Sequence, residues 1–248
     1  MMRTLWKRLF LFVVILLIAI PAGFVGWASF PLGPGTAAFA ALQPDSVVSI
    51  ETIQGWTVFR PTSVEARTGF IFYPGGRVDY RSYAPILKLL AQHGFLVVLV
   101  PMPLSLAFFS PDKADEVLTA FPEIQTWALA GHSLGGAMAA RYCFTHPGKI
   151  QGLVLWAAYP ADTDSLANQK LAALSIFGSE DGQVKNIEAS GNLMPAGTTW
   201  IKIDGGSHAQ FGDYGLQPGD GQAKISPQQQ WGQVSSATIA FLLKISGE

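Results

Sequence analysis

The sequence predicts an α/β protein: a mostly parallel sheet covered on both faces by helices, preceded by one membrane-length apolar helix. Three observations carry this. Short apolar, β-prone runs alternate with helix-prone runs from about residue 69 to the C terminus, the pattern of a sheet whose crossovers are helical. The runs at 95–100 and 152–158 are apolar throughout, lacking the polar–apolar alternation of a half-exposed strand, so they read as strands buried on both faces. At the N terminus, Arg3, Lys7 and Arg8 precede an uncharged, predominantly apolar run from Leu9 to Phe30.

Taken in order, residues 46–51 and 56–60 are short strands around Gln54-Gly55, a hairpin. Residues 69–73 form a strand ending in Pro74-Gly75-Gly76. Ser82 is placed to cap a helix carrying Ile86, Leu87, Leu89 and Leu90, which stops at Gly94. Strand 95–100 leads into a proline-broken apolar loop, 101–111, and a short helix over 114–121. Strand 126–130 is followed by a helix over 134–144, then by strands at 152–158 and 171–177. A weak helix at 184–190 and a strand at 199–203 follow. Ser226-Pro227-Gln228-Gln229 is a capping box with proline at the first helical position. The helix it opens places Trp231, Val234, Thr238, Phe241 and Leu242 along one stripe. The connection between Ala158 and Leu171 is too short for a large lid, so an open site is expected.

Composition narrows the function classes. Sixteen Lys+Arg against 17 Asp+Glu leave no basic footprint for nucleic acid. The single cysteine, Cys143, excludes an intramolecular disulfide framework and reads as a buried structural thiol. No Cys/His cluster has the spacing of a zinc site.

About 20 apolar residues suffice to cross a bilayer, whereas the apolar part of a signal peptide usually runs about 7–15. The basic flank belongs on the cytoplasmic side. Residues 1–30 are therefore expected to be an uncleaved anchor, 31–45 a linker that includes Pro31-Leu32-Gly33-Pro34-Gly35, and 46–248 a catalytic domain outside the cytoplasm. The alternative is a cleaved signal peptide, cut at Ala38-Phe39-Ala40 or near Ala28.

The most informative stretch is Gly131-His132-Ser133-Leu134-Gly135-Gly136. It lies between an apolar strand and a helix-prone run, with a serine at the apex. That context defines a nucleophile elbow, in which a strained backbone projects the serine hydroxyl away from both elements. The helix start also turns backbone N–H groups toward the serine oxygen.

A serine needs a base, and the chain has four histidines. His132 is inside the elbow and cannot reach round to Ser133, so it is expected to pack beside it. His93 and His146 sit at helix ends. His208 follows a strand in Asp204-Gly205-Gly206-Ser207-His208, late in the chain, as the order serine, acid, histidine requires. The acid that orients it is assigned to Asp181, reached from strand 171–177 through Gly178-Ser179-Glu180. Glu180 is the first alternative, Asp162 and Asp164 the next, and Asp204 lies too close in sequence. For the oxyanion, Leu134 N–H is one donor. Gly76 N–H is the second, with Arg77 N–H as alternative. The Arg77 side chain is either a surface group or a charge for an acidic substrate. Met102, Leu104, Phe108, Phe109 and Tyr159 suit an acyl or aryl group or belong to the core. The loop 212–225, rich in Gly and Asp, either borders the pocket or runs free on the surface.

With these residues assembled, the chain resembles the α/β-hydrolase superfamily, and within it the compact, lidless dienelactone-hydrolase and small-esterase groups. The resemblance rests on Phe72-Tyr73-Pro74-Gly75-Gly76, the elbow, Leu155-Trp156-Ala157-Ala158-Tyr159-Pro160, Gly178-Ser179-Glu180-Asp181 and Gly205-Gly206-Ser207-His208-Ala209-Gln210-Phe211-Gly212. It spans about residues 46–243. It implies a sheet of about eight strands, a Ser133–His208–Asp181 triad, a small-molecule acyl substrate and no cofactor or metal. Dienelactone hydrolases proper carry cysteine at the elbow; serine here favours ester or thioester hydrolysis. An acyltransferase on the same fold is the nearest rival. A tethered, non-catalytic binding module would predict a missing triad member, and none is missing.

Overall fold

The structure, a computed structural model, describes residues 2–247. After helix α1 (Met2–Ala28) and a short helix α2 (Thr36–Ala41), strands β1 (Val48–Ile53) and β2 (Trp56–Pro61) form a hairpin. Then come β3 (Thr68–Tyr73), α3 (Ala84–Gln92), β4 (Leu96–Leu99), α4 (Lys113–Ala120), β5 (Thr126–His132) and α5 (Leu134–Thr145). The chain closes with β6 (Gly152–Trp156), β7 (Ala172–Gly178), α6 (Val184–Ala189), β8 (Thr199–Ile203) and α7 (Pro227–Ser246). The eight strands make one sheet in the order β1-β2-β4-β3-β5-β6-β7-β8. The hairpin enters antiparallel, and every pair from β4 to β8 is parallel.

Local chemistry explains the joints. Gln54 (φ 51°) and Gly55 (φ 86°) form the two-residue left-handed turn whose twist matches an antiparallel hairpin. Side chains on β3 alternate: Phe70 and Phe72 enter the core under α3 and α7, while Ile71 and Tyr73 enter the core under α4 and α5. Phe72 lies 4.8 Å from Tyr83 and 4.7 Å from Trp156, ring centroid to centroid, so its truncation to alanine would cost about 3–5 kcal/mol. The capping box at Ser226 and Gln229 is present with Pro227 in the first turn, and the expected stripe of α7 is buried.

Two expectations are corrected. Ser82 does not cap a helix. A 3-10 turn, Tyr80–Tyr83, starts one turn earlier, where Asp79 accepts the Arg81 N–H, and α3 then begins with Pro85 in its first turn. The stretch 31–45 is not a free linker. Leu32 and Arg77–Asp79 exchange backbone hydrogen bonds, at 2.8 Å from Leu32 N–H to Arg77 O and 2.9 Å from Asp79 N–H to Leu32 O. Helix α2 follows, and since Gly35 at its N-cap has no side chain, the Asp213 carboxylate accepts the Ala38 N–H at 2.9 Å instead. Ala38, in the possible cut site Ala38-Phe39-Ala40, is fully buried.

Helix α1 contains one candidate membrane span, Leu5–Ala28, with mean hydropathy 2.8 and its apolar surface outside the body. At 1.5 Å per residue it is about 36 Å long. Its last turns touch the domain: Phe24 meets Phe109 edge-on at 6.3 Å, and the Arg77 guanidinium lies 4.1 Å from the centre of the Trp27 ring.

Candidate active site

Ser133 joins β5 to α5 with φ 51° and ψ −121°, a conformation costing about 1–3 kcal/mol that the surroundings must impose. They do so by close approach. A side chain at Gly131 would run into the Gly135 backbone, and one at Gly135 into the Tyr73 and Pro74 carbonyls. Two hydrogen bonds lock the turn: Ser133 N–H donates to Trp156 O, and Ala137 N–H to Ser133 O, both at 3.0 Å. As the first residue of α5, Leu134 has an N–H with no acceptor inside the helix.

His208 follows β8 and is buried, as is Asp181 at the end of β7. His208 Nδ1 lies 3.1 and 3.0 Å from the two Asp181 carboxylate oxygens. Asp181 is itself held by the Gln183 N–H at 2.7 Å. This leaves His208 Nε2 as the ring nitrogen without a partner among the described residues. Ser133 and His208 line one cleft of about 390 Å³, with Leu134, Ala157, Tyr159 and Gln217 among its walls. The only regular element in the β6–β7 connection is a 3-10 turn, Asp162–Asp164, and the cleft is open.

On the other flank, the Tyr83 hydroxyl accepts the Gly75 N–H at 3.0 Å and donates to His132 Nδ1 at 2.8 Å. Burial, and then the neighbouring His208, push the His132 pKa well below its ordinary value, so His132 stays neutral; burial likewise raises that of Tyr83. The His132 ring packs 4.5 Å from His208 and 5.6 Å from Phe211. Arg77 N–H donates to Ser105 O at 2.8 Å and is therefore spoken for. Gly76 N–H has no acceptor among the described residues, and Gly76 lies against the Leu134 side chain. A second hollow of about 350 Å³ on this side shares Ser133 and Leu134 with the first, and is walled by Gly76, Arg77, Leu106 and Trp27.

The alternative acids are engaged elsewhere. Glu180 pairs with Lys224 at 2.7 Å, which with Ser179 lowers its pKa. Asp164 pairs with Arg141 at 3.3 Å, Asp162 is exposed, and Asp204 accepts from the Ser179 hydroxyl at 3.5 Å. His93 Nδ1 meets Leu89 O at 2.8 Å, and His146 stacks on Tyr142 at 4.4 Å. Cys143 is buried, its thiol pushed up to about 12 by desolvation. Of the apolar candidates, Tyr159 lines the cleft and Met102 is core, whereas Phe108 and Phe109 stack on each other beside α1 and remain half exposed.

Sequence reasoning missed Tyr83, Leu106, the end of α1, and Asp220. The last lies in loop 212–225, where its carboxylate accepts the Ala209 N–H at 2.8 Å and the Gly182 N–H at 3.3 Å, tying the two loops that carry His208 and Asp181. The same loop supplies Gln217 to both hollows, so it borders the site. Asp181, His208 and Asp220 are near enough to share an ion, but their ligand atoms are already bonded to one another or to backbone N–H groups.

Known proteins share this fold. No curated protein matches the chain significantly. Solved structures do: a dienelactone hydrolase from Anabaena variabilis (TM-score 0.59, 18% identity, covering 79% of this chain and 99% of that one); Est1E from Butyrivibrio proteoclasticus (0.57, 12%, 82% and 100%); and a putative lipase from Acinetobacter baumannii (0.61, 11%, 87% and 98%). Residues 69–232, from β3 into α7, match the description of the Alpha/beta hydrolase family. The chain belongs to the alpha/beta hydrolase family.

Proposed function

We propose that the protein is a serine hydrolase of carboxylic esters or thioesters, acting through an acyl-enzyme. Ser133 Oγ attacks the acyl carbonyl while His208 Nε2 takes its proton. The oxyanion is bound by the N–H groups of Gly76 and Leu134. His208 returns the proton to the leaving alcohol or thiol as the acyl–heteroatom bond breaks. Water, deprotonated by His208, then adds to the acyl-enzyme, and the acyl–Oγ bond breaks as His208 returns that proton to Ser133. Asp181 fixes the Nδ1–H tautomer of His208 and stabilises the imidazolium. The observation that carries this reading is the strained Ser133 sharing one cleft with a histidine whose other nitrogen is held by a buried carboxylate. The open cleft favours water over an acceptor alcohol, and so hydrolysis over acyl transfer. Residues 1–30 anchor the enzyme, with the domain outside the cytoplasm opposite Arg3, Lys7 and Arg8; contacts of Phe24 and Trp27 with the body support retention of this helix over cleavage.

The test is a chain-length series of p-nitrophenyl esters together with a fluorophosphonate probe. Ser133→Ala abolishes labelling and lowers kcat by about 10⁴-fold or more. Labelling that persists in Ser133→Ala overturns the assignment.

A further inference from the structure

The hollow beside Ser133 is walled partly by the end of α1. Trp27 is its penultimate residue, and it lines the same hollow as Gly76, Leu106 and Ser133. A span of about 36 Å exceeds the roughly 30 Å hydrocarbon core of a bilayer, so Trp27 and Ala28 emerge at its surface, the depth tryptophan favours. The domain has no slack with which to stand off. Arg77 clamps the helix end by stacking on Trp27 and by donating from its guanidinium to Phe30 O at 3.0 Å. Leu32 is bonded to the backbone of Arg77 and Asp79, and Gly35 N–H to Asp213 O at 2.6 Å. With α1 spanning a bilayer as proposed above, the hollow that meets Ser133 would open at the lipid head groups. Three large apolar side chains stand bare on this side: Phe30 is 78% exposed, Phe108 45% and Phe109 46%, and Phe109 touches α1 itself. Such aromatic groups are stabilised by burial in the interfacial region.

We propose that the ester cleaved at Ser133 belongs to a lipid of the bilayer that holds α1, admitted through the hollow walled by Trp27 and Leu106. This rests on the reading of Ser133 as nucleophile. Ester carbonyls of acyl lipids lie at the boundary between hydrocarbon and head groups, so the substrate rises only slightly to reach Gly76 and Leu134, while its chain stays beside Phe108, Phe109 and α1. The bond broken is the acyl carbon–oxygen bond. The lipid oxygen leaves with the proton held by His208, and water completes a free fatty acid.

The test uses the full chain in phosphatidylcholine vesicles containing a long-chain fluorogenic ester. The comparison is the same ester in protein-free vesicles mixed with ester-free proteoliposomes, and a short-chain water-soluble ester serves as control. The ester sharing the enzyme's bilayer is cleaved about tenfold faster or more. Inserting about 12 Gly/Ser residues between Ser29 and Phe30 adds roughly 20 Å of slack. It removes that advantage and leaves hydrolysis of the soluble ester unchanged, which also shows that the inserted protein folds. Equal rates in the two vesicle arrangements overturn the proposal in favour of a water-borne substrate; an advantage that survives the insertion overturns admission through the hollow walled by Trp27 and Leu106. Soluble-ester hydrolysis that is absent, or that survives Ser133→Ala, overturns the serine-hydrolase reading, and the lipid proposal with it.

Discussion

The two flanks of Ser133 are built from opposite materials. On the flank proposed for acid–base chemistry, two ionisable side chains, His208 and Asp181, face each other and are braced by a third, Asp220. On the flank proposed to bind the oxyanion the groups assigned are backbone N–H donors, and what braces them is neutral: the Tyr83 hydroxyl between Gly75 and a fully buried His132. In the proposed mechanism one flank changes charge during turnover and the other does not. Two imidazoles only 4.5 Å apart have different neighbours, a carboxylate for His208 and a phenol and aromatic rings for His132, and the proposed mechanism gives them different parts accordingly.

Substitutions can break this contrast. The largest effect is expected at Asp181. Asp181→Asn leaves the fold intact and lowers kcat by about 10⁴-fold, because His208 loses the partner that fixes its tautomer; an ester assay showing less than a tenfold loss would move the acid elsewhere. Next is Tyr83→Phe. It strands the Gly75 N–H and His132 Nδ1 in the interior, costing about 2–3 kcal/mol in urea unfolding, with a fall in kcat as the Gly76 loop slackens. A stability loss with kcat untouched would uncouple Tyr83 from the oxyanion loop.

The neutrality of His132 has its own signature. Its folded pKa lies below the ordinary 6.5, so below pH 6.5 the unfolded chain binds a proton that the folded protein refuses. Its contribution is full above pH 6.5 and is lost as pH falls toward the folded value, by up to about 1.4 kcal/mol per pH unit. Urea midpoints measured between pH 7.5 and 5.5 should show this slope in the wild type, and a flatter one in His132→Gln. The smallest effect is expected at Asp220. Asp220→Asn weakens the tie between the His208 and Asp181 loops and lowers kcat about fivefold, roughly 1 kcal/mol, with KM unchanged. A rise in KM alone would make Asp220 part of the substrate wall instead.

Much of this was readable in the sequence because it is local. The elbow, the hairpin at Gln54-Gly55 and the capping box at Ser226 each depend on residues a few positions apart, and all three are present. The strand alternation is equally local, which is why an eight-stranded, mostly parallel sheet could be expected from one chain. What the sequence hid depends on distant partners. Ser82 has the chemistry of a cap, but Asp79 starts a 3-10 turn before it. Tyr83 looks like one more core aromatic until the fold brings it to Gly75 and His132. Asp220 sits among other turn residues, and only the approach of the Gly182 and Ala209 amides singles it out.

The cap of α2 has a consequence for biosynthesis. The carboxylate that terminates this helix belongs to Asp213, 175 positions further along the chain from Ala38. A ribosome delivers residues 36–41 straight after helix α1, yet the carboxylate that accepts the Ala38 amide emerges only 175 residues later. The seam between α1 and the globule thus closes only after residue 213 has been made, and until then the nascent protein hangs from its first helix by an unfinished hinge.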